Sequence, residues 1–145
     1  MLSYANVEAV LCPDRTTRWA RPLFMAAVSA GFPSPAEDYV EGRLDLNRYL
    51  IKHPVATFYV RVAGESMVGV GIEPGSILVV DRAVEADDGD IVVARINDEL
   101  CVKRLRFHEG RVLLAPENPC YETIEVTDGM DFEVWGRVMH AIRSY

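Results

Sequence analysis

The sequence predicts a mostly β protein, an antiparallel barrel or sandwich with one or two short helices and a flexible N-terminal arm. From Ala56 onward, short runs rich in Val, Ile and Tyr are separated by turn clusters of Gly, Asp, Asn and Pro. No long helical period lies between these runs, which favours antiparallel pairing over strands joined by crossover helices. Strands are predicted at 56–62, 76–80, 90–96, 100–107, 111–115, 122–126 and 132–142.

Two short helices are predicted ahead of the strands. Ser34-Pro35-Ala36-Glu37 has the serine, first-turn proline and glutamate of a capping box, so a helix through about Glu41 is expected. Asp45 is placed to cap a second helix that carries Leu46, Tyr49 and Leu50, and His53-Pro54 would end it.

The first 33 residues predict an arm rather than part of the core. They contain three prolines and Gly31, show no sustained period, and predict at most a short helix near Phe24 to Val28. We therefore expect residues 1–33 to form the arm and residues 34–145 to form the folded domain. An arm of this length is too short for a three-helix DNA-binding domain.

Charge and hydropathy argue against two kinds of partner, nucleic acid and the membrane interior. The net charge is −7, from 22 acidic and 15 basic residues, which disfavours direct binding to a phosphate backbone. No run of 18 apolar residues occurs, so no membrane-spanning helix is expected. Val28–Ala30 resembles the end of a signal peptide, but the preceding apolar stretch is short and begins with Pro22. A cytoplasmic location is therefore expected.

The cysteines give no sign of a metal site. Cys12, Cys101 and Cys120 are odd in number and far apart, with no C-x-x-C pair and no histidine at a zinc-like spacing. We expect neither a metal nor a cofactor, and unpaired cysteines fit a reducing cytoplasm. At 145 residues the chain is long enough to fold without such crosslinks.

Ser66 lies where a predicted strand breaks into a turn, directly after Phe58–Val62. From position alone, a plain turn serine is the more common explanation. It is not a lipase-type nucleophile elbow, because that motif requires glycine where Val68 stands. A turn directly after a strand leaves amides unpaired, so the backbone N–H groups of Ser66 and Met67 are candidate oxyanion donors.

Lys103 lies on a predicted strand in which alternation places it on one face with Cys101 and Leu105. Its head could simply reach water along an apolar surface. If the amine is instead desolvated, its pKa falls from about 10.4, and the neutral amine can accept a proton from serine. Such serine–lysine pairs are an established variant of the serine–histidine arrangement.

Three blocks in a fixed order resemble the LexA/UmuD family of self-cleaving serine–lysine peptidases, the S24-like peptidases. They are Gly-Glu-Ser-Met from Gly64, G-I-E-P-G-S-I-L-V-V-D from Gly71, and D-G-D-I-V-V-A-R-I-N-D-E-L-C-V-K-R-L from Asp88. The arm from Ala30 to Glu41 resembles the UmuD-like members in particular. The resemblance covers residues 23–142, and residues 1–22 look unrelated.

The resemblance implies a function and its residues. Ser66 would be the nucleophile and Lys103 the general base, and the bond cut would be Ala30-Gly31. It also implies a LexA/signal-peptidase-like β fold and stimulation by a RecA filament on single-stranded DNA after damage. The shortened product would then act as a homodimeric accessory subunit of an error-prone, UmuC-like Y-family translesion polymerase.

Three alternatives remain open from the sequence. A serine–histidine triad would need His53, His108 or His140, and each of these histidines has an ordinary structural explanation. A signal-peptidase-like enzyme acting in trans shares the serine–lysine pair but needs a membrane anchor. A non-enzymatic protein-binding module on the same fold would not shorten itself at alkaline pH.

Overall fold

A computed structural model describes residues 6–16, 20–24 and 40–145. Their contacts divide the chain into two compact units. One unit contains the described residues up to Pro13 together with His53–Tyr145, and the other lies within Asp14–Lys52. The Ala30-Gly31 bond and the capping box at 34–37 lie outside the described residues.

The larger unit is an antiparallel sheet of eight strands that curls into a half-barrel. In order along the sheet the strands are β1-β4-β5-β10-β6-β7-β8-β9. Their bounds are β1 Val7–Leu11, β4 Thr57–Val62, β5 Ile77–Asp81, β6 Ile91–Ile96, β7 Glu99–His108, β8 Arg111–Ala115, β9 Ile124–Val126 and β10 Phe132–Ile142. All seven strands predicted from residue 56 onward are present, and the mostly β fold class is confirmed.

The smaller unit contains a two-stranded sheet and one short helix. Strands β2 (Ala20–Phe24) and β3 (Val40–Asp45) pair antiparallel, and helix α1 (Leu46–Leu50) follows. The Asp45 carboxylate accepts the Asn47 backbone N–H at 3.0 Å, which confirms the predicted cap. No helix in the described ranges is long and apolar enough to cross a membrane.

Two helix predictions are wrong where the structure describes them. The first predicted helix does not extend to Glu41, because residues 40 and 41 belong to β3. The short helix expected near Phe24 does not begin there, because Phe24 is the last residue of β2 and pairs with Val40. Pairing between β2 and β3, which are distant in the chain, sets the strand conformation of Phe24 and of residues 40 and 41.

The core of the larger unit consists of two buried clusters. One contains Phe58, Val60, Val62, Met67, Ile72, Leu78, Val80, Val93 and Val102. The other contains Val92, Ala94, Ile96, Cys101, Leu105 and Leu114. Adjacent residues of β6 and β7 fall in different clusters, because successive side chains of a strand point to opposite faces.

Hairpin β6–β7 brings the predicted lysine into this core. The turn pairs Ile96 with Glu99, and Asn97 adopts a left-handed conformation with φ 54°, which asparagine tolerates better than most residues. The pairing that follows sets Lys103 opposite Val92. The hairpin therefore fixes the face on which the lysine lies.

Candidate active site

The turn after β4 presents Ser66 at the strand end, as predicted. The chain leaves β4 through Gly64, whose φ of 78° suits glycine, and a short 3-10 helix follows at Val68–Val70. Gly71 ends this helix in the left-handed conformation. Ser66 is buried, with 3% of its surface exposed.

Lys103 reaches Ser66 from β7. Its Nζ lies 2.8 Å from Ser66 Oγ, within hydrogen-bond distance, and the residue is only 5% exposed. Cys101 and Leu105 are buried in the cluster opposite to that of Val102, as the alternation argument predicted. The structure therefore brings together the two side chains that the sequence singles out, although they are 37 positions apart.

Burial favours the neutral form of the lysine. Within the described ranges no carboxylate forms a salt bridge with Lys103, and desolvation lowers its pKa. A thiolate at the nearby Cys101 would raise that pKa, an effect smaller than that of burial. Burial raises the pKa of the Cys101 thiol to about 11, so the thiol stays neutral at physiological pH and provides no counter-charge. The amine is thus suited to accept a proton.

Asn6 is a third polar residue at the site, and it is not among the residues predicted from the sequence. Its Nδ2 lies 3.0 Å from Ser66 Oγ, and the same carboxamide bonds both backbone groups of Val102. These contacts join residues 60 and 96 positions apart, so no local pattern could reveal them. In the sequence, Asn6 is a polar residue directly ahead of the segment that forms β1.

The loop around Glu117 supports the serine turn through backbone hydrogen bonds. The Glu117 N–H donates to the Ser66 carbonyl at 2.8 Å, and the Glu117 carbonyl accepts the Gly69 N–H at 2.7 Å. The Glu117 carboxylate pairs with Arg104, which also donates to the Gly89 carbonyl at 2.6 Å. This network connects the serine turn to the strand that carries Lys103.

Gly69→Ala is expected to disturb this support. A Cβ at Gly69 would lie 2.4 Å from the Glu117 carbonyl oxygen, so the loop must shift. We expect a loss of about 1–3 kcal/mol in the free energy of unfolding, typical of forcing extra atoms into a packed site. Urea denaturation measures it, with Gly129→Ala as the matched control, because a Cβ at Gly129 meets nothing within 4 Å. Equal stability of the two variants would contradict the packing described.

The structure describes the predicted oxyanion donors but not the predicted cleavage bond. The Ser66 and Met67 backbone N–H groups have no hydrogen-bond partner in the part of the chain that the structure describes. Both amides therefore remain candidate oxyanion donors. Ala30 and Gly31 lie outside the described ranges, so their position relative to Ser66 stays a prediction.

Lysine is the basic side chain that contacts the serine. Among the described residues, the partners of Ser66 Oγ are Lys103 and Asn6. His53 instead bonds Asp81, with Nδ1 2.6 Å from the Asp81 carboxylate. A buried serine hydroxyl bonded to a desolvated lysine amine is the arrangement of serine–lysine hydrolases.

Comparison with known proteins agrees with this class of site. The profile of the Peptidase S24-like family matches residues 22–139, and the chain belongs to that family. This finding confirms the resemblance to the LexA/UmuD family drawn from the sequence.

The related proteins match along nearly the whole chain. Protein SamA of Salmonella typhimurium is 46% identical over 123 residues, which cover 85% of this chain and 87% of SamA. Protein ImpA of Escherichia coli is 44% identical over 134 residues, which cover 91% and 92% of the two chains. The LexA repressor of Bordetella petrii is 39% identical over 131 residues, which cover 90% of this chain and 58% of the repressor.

Proposed function

We propose that this chain is a serine peptidase that cuts its own backbone between Ala30 and Gly31. The observation that carries the proposal is the 2.8 Å contact between Ser66 Oγ and a buried Lys103 amine without a carboxylate partner among the described residues. Membership of the S24-like family and similarity to a LexA repressor support the same activity.

The proposed reaction begins with proton transfer from Ser66 Oγ to the neutral Nζ of Lys103. The oxygen forms a bond to the carbonyl carbon of Ala30, and the negative charge moves to the carbonyl oxygen, near the backbone N–H groups of Ser66 and Met67. Lys103 then gives its proton to the Gly31 nitrogen as the C–N bond breaks. Water hydrolyses the resulting ester on Ser66 and releases the carboxylate of Ala30.

The substrate bond belongs to the same chain, which affects the rate and its control. Holding a segment of the chain against the nucleophile can supply an effective concentration of about 10⁵ M or more in well-oriented cases. The cleavage rate therefore depends on how often the segment ahead of residue 34 docks against Ser66 in a productive position. A RecA filament on single-stranded DNA would stimulate cutting by favouring the docked arrangement.

The biological role that follows is in the response to DNA damage. We propose that the protein acts in the cytoplasm during SOS mutagenesis, and that the shortened homodimer serves a Y-family translesion polymerase. The family and the related proteins SamA, ImpA and LexA repressor support this role. The net charge of −7 agrees with action through protein partners rather than direct DNA binding.

Intact-mass spectrometry of the purified chain tests the proposal. After incubation at about pH 9–10, where the lowered pKa of Lys103 leaves more of its amine neutral than in an ordinary lysine, a large product that begins Gly31-Phe32-Pro33-Ser34 is expected. Ser66→Ala should remain intact under the same conditions. A large product that begins elsewhere would refute the site. Dependence of the rate on protein concentration would indicate cutting between molecules rather than within one.

A further inference from the structure

Asn6 lies between the end of β4, which leads into the Ser66 turn, and β7, which carries Lys103. The Ala63 N–H, just past β4, donates to the Asn6 carbonyl at 2.7 Å, and the Asn6 N–H donates to the Leu100 carbonyl of β7 at 3.3 Å. Strand β1 continues from Asn6 along β4. The start of this strand therefore fills the space between the two strands that present Ser66 and Lys103.

The Asn6 carboxamide has the donor and acceptor of a peptide group. Its Nδ2 donates to the Val102 carbonyl at 3.1 Å, and its Oδ1 accepts the Val102 N–H. Strand β8 pairs with β7 only from Arg104 onward, so it does not cover these groups of Val102. The asparagine thus occupies a short open edge of β7 next to the lysine.

A substrate peptide would need the same open edge of β7 that Asn6 occupies. Extended peptides bind by adding to an open sheet edge, and the carbonyl carbon under attack must come within about 3–3.5 Å of the nucleophile. Asn6 Nδ2 already lies 3.0 Å from Ser66 Oγ, and Ser66 is 3% exposed. Asn6 and a docked peptide cannot both occupy this edge.

Strand β1, which follows Asn6, is only partly buried and lies at an edge of the sheet. Among the side chains of β1, Val7 packs against the buried core, whereas Val10 and Leu11 are 43% and 45% exposed. As an edge strand, β1 pairs with β4 on one side only. Its withdrawal would leave the other seven strands of the sheet paired as they are.

We infer that Asn6 and β1 form a built-in autoinhibitory strand that occupies the peptide-binding edge. This inference rests on the proposed function, because it concerns the same serine and lysine. Cleavage requires Asn6 to withdraw so that the Ala30-Gly31 segment can take its place beside Val102. It also gives a role to residues near the start of the chain, ahead of the proposed cleavage bond.

Removal of the carboxamide tests the inference. In the full chain at about pH 9, Asn6→Ala should shorten itself about tenfold faster than the wild type, since a few hydrogen bonds hold the closed form. Glu8→Ala is the matched control, because Glu8 is exposed on the same strand, and its rate should stay within about twofold. Where the wild type shortens itself, an Asn6→Ala rate equal to or below the wild-type rate would overturn the inference, and a lower rate would show that Asn6 positions Ser66.

A second readout separates this inference from the proposed function. Labelling of Ser66 by a fluorophosphonate reports access to the hydroxyl whether or not the chain cuts itself. Asn6→Ala should label faster than the wild type, and equal or slower labelling would overturn the inference. Val10→Pro, which weakens β1 away from the site, should also label faster and decides the question if Asn6→Ala does not fold. If Asn6→Ala labels faster than the wild type but neither protein cuts itself, self-cleavage would be refuted and the inhibitory contact would still be supported.

Discussion

Ser66→Ala and Lys103→Ala are each expected to abolish self-shortening, with a loss of about 10⁴-fold or more. The two side chains act as one unit in one step, so losing either removes nearly the whole effect. Their hydrogen bond at 2.8 Å is the physical basis for this expectation. Intact-mass spectrometry over several days at about pH 9 measures the residual rate.

Lys103→Arg should fail as completely as Lys103→Ala, although it keeps the positive charge. A guanidinium stays protonated throughout the pH range of the assay, so it cannot accept the serine proton. The chain contains two lysines, and the other, Lys52, is exposed. Lys52→Arg is therefore the matched control and should cleave at the wild-type rate. Normal cleavage by Lys103→Arg would show that lysine is not the base.

The rate of self-cleavage should also depend strongly on pH. Below its pKa Lys103 is an ammonium and cannot act as a base, so the rate should rise with pH through that pKa. Because burial lowers the pKa of Lys103, the midpoint should fall below the ordinary lysine value of about 10.4. The Cys101 thiol, with a pKa of about 11, titrates too high to dominate this profile.

Cys101→Asp should move that midpoint to higher pH. A carboxylate two residues along the same face attracts the ammonium form and so raises the pKa of Lys103. Cys101→Ser is the matched control, because it changes the side chain without adding a charge. Cleavage from about pH 6 to 11, with circular dichroism to verify folding, measures both variants. A flat wild-type profile, or a midpoint that Cys101→Asp leaves unchanged, would contradict the role given to desolvation.

The strands from residue 56 onward could be predicted because their signals are local, whereas the pairing of Ser66 with Lys103 was predicted from the family resemblance of the blocks that contain them. Alternation along β7 places Cys101 and Leu105 in one cluster and Val102 in the other, which the sequence pattern already indicates. The Asp45 cap likewise depends on a hydrogen bond to Asn47, two residues away. The order of the blocks around Ser66 and Lys103 predicted the family, which the match to the Peptidase S24-like family confirms.

The contributions of β1 and Asn6 could not be predicted because they depend on pairing between distant segments. Val7–Leu11 is short and becomes a strand by pairing with β4, about 50 residues later. The Asn6 carboxamide then meets Ser66 and Val102 only because β4 and β7 approach each other in the folded sheet. The Glu117 loop that supports the serine turn depends on the same tertiary arrangement.

Direct titration of Lys103 tests most directly the claim that burial prepares its amine to act as a base. With only two lysines, the chain labelled with ¹³C at lysine Cε gives two signals, and Lys52→Arg identifies which belongs to Lys103. The Ser66→Ala background keeps the chain intact during the measurement. We predict a Lys103 midpoint clearly below about 10.4, the value for lysine in unfolded peptides. A midpoint at or above that value would contradict the account.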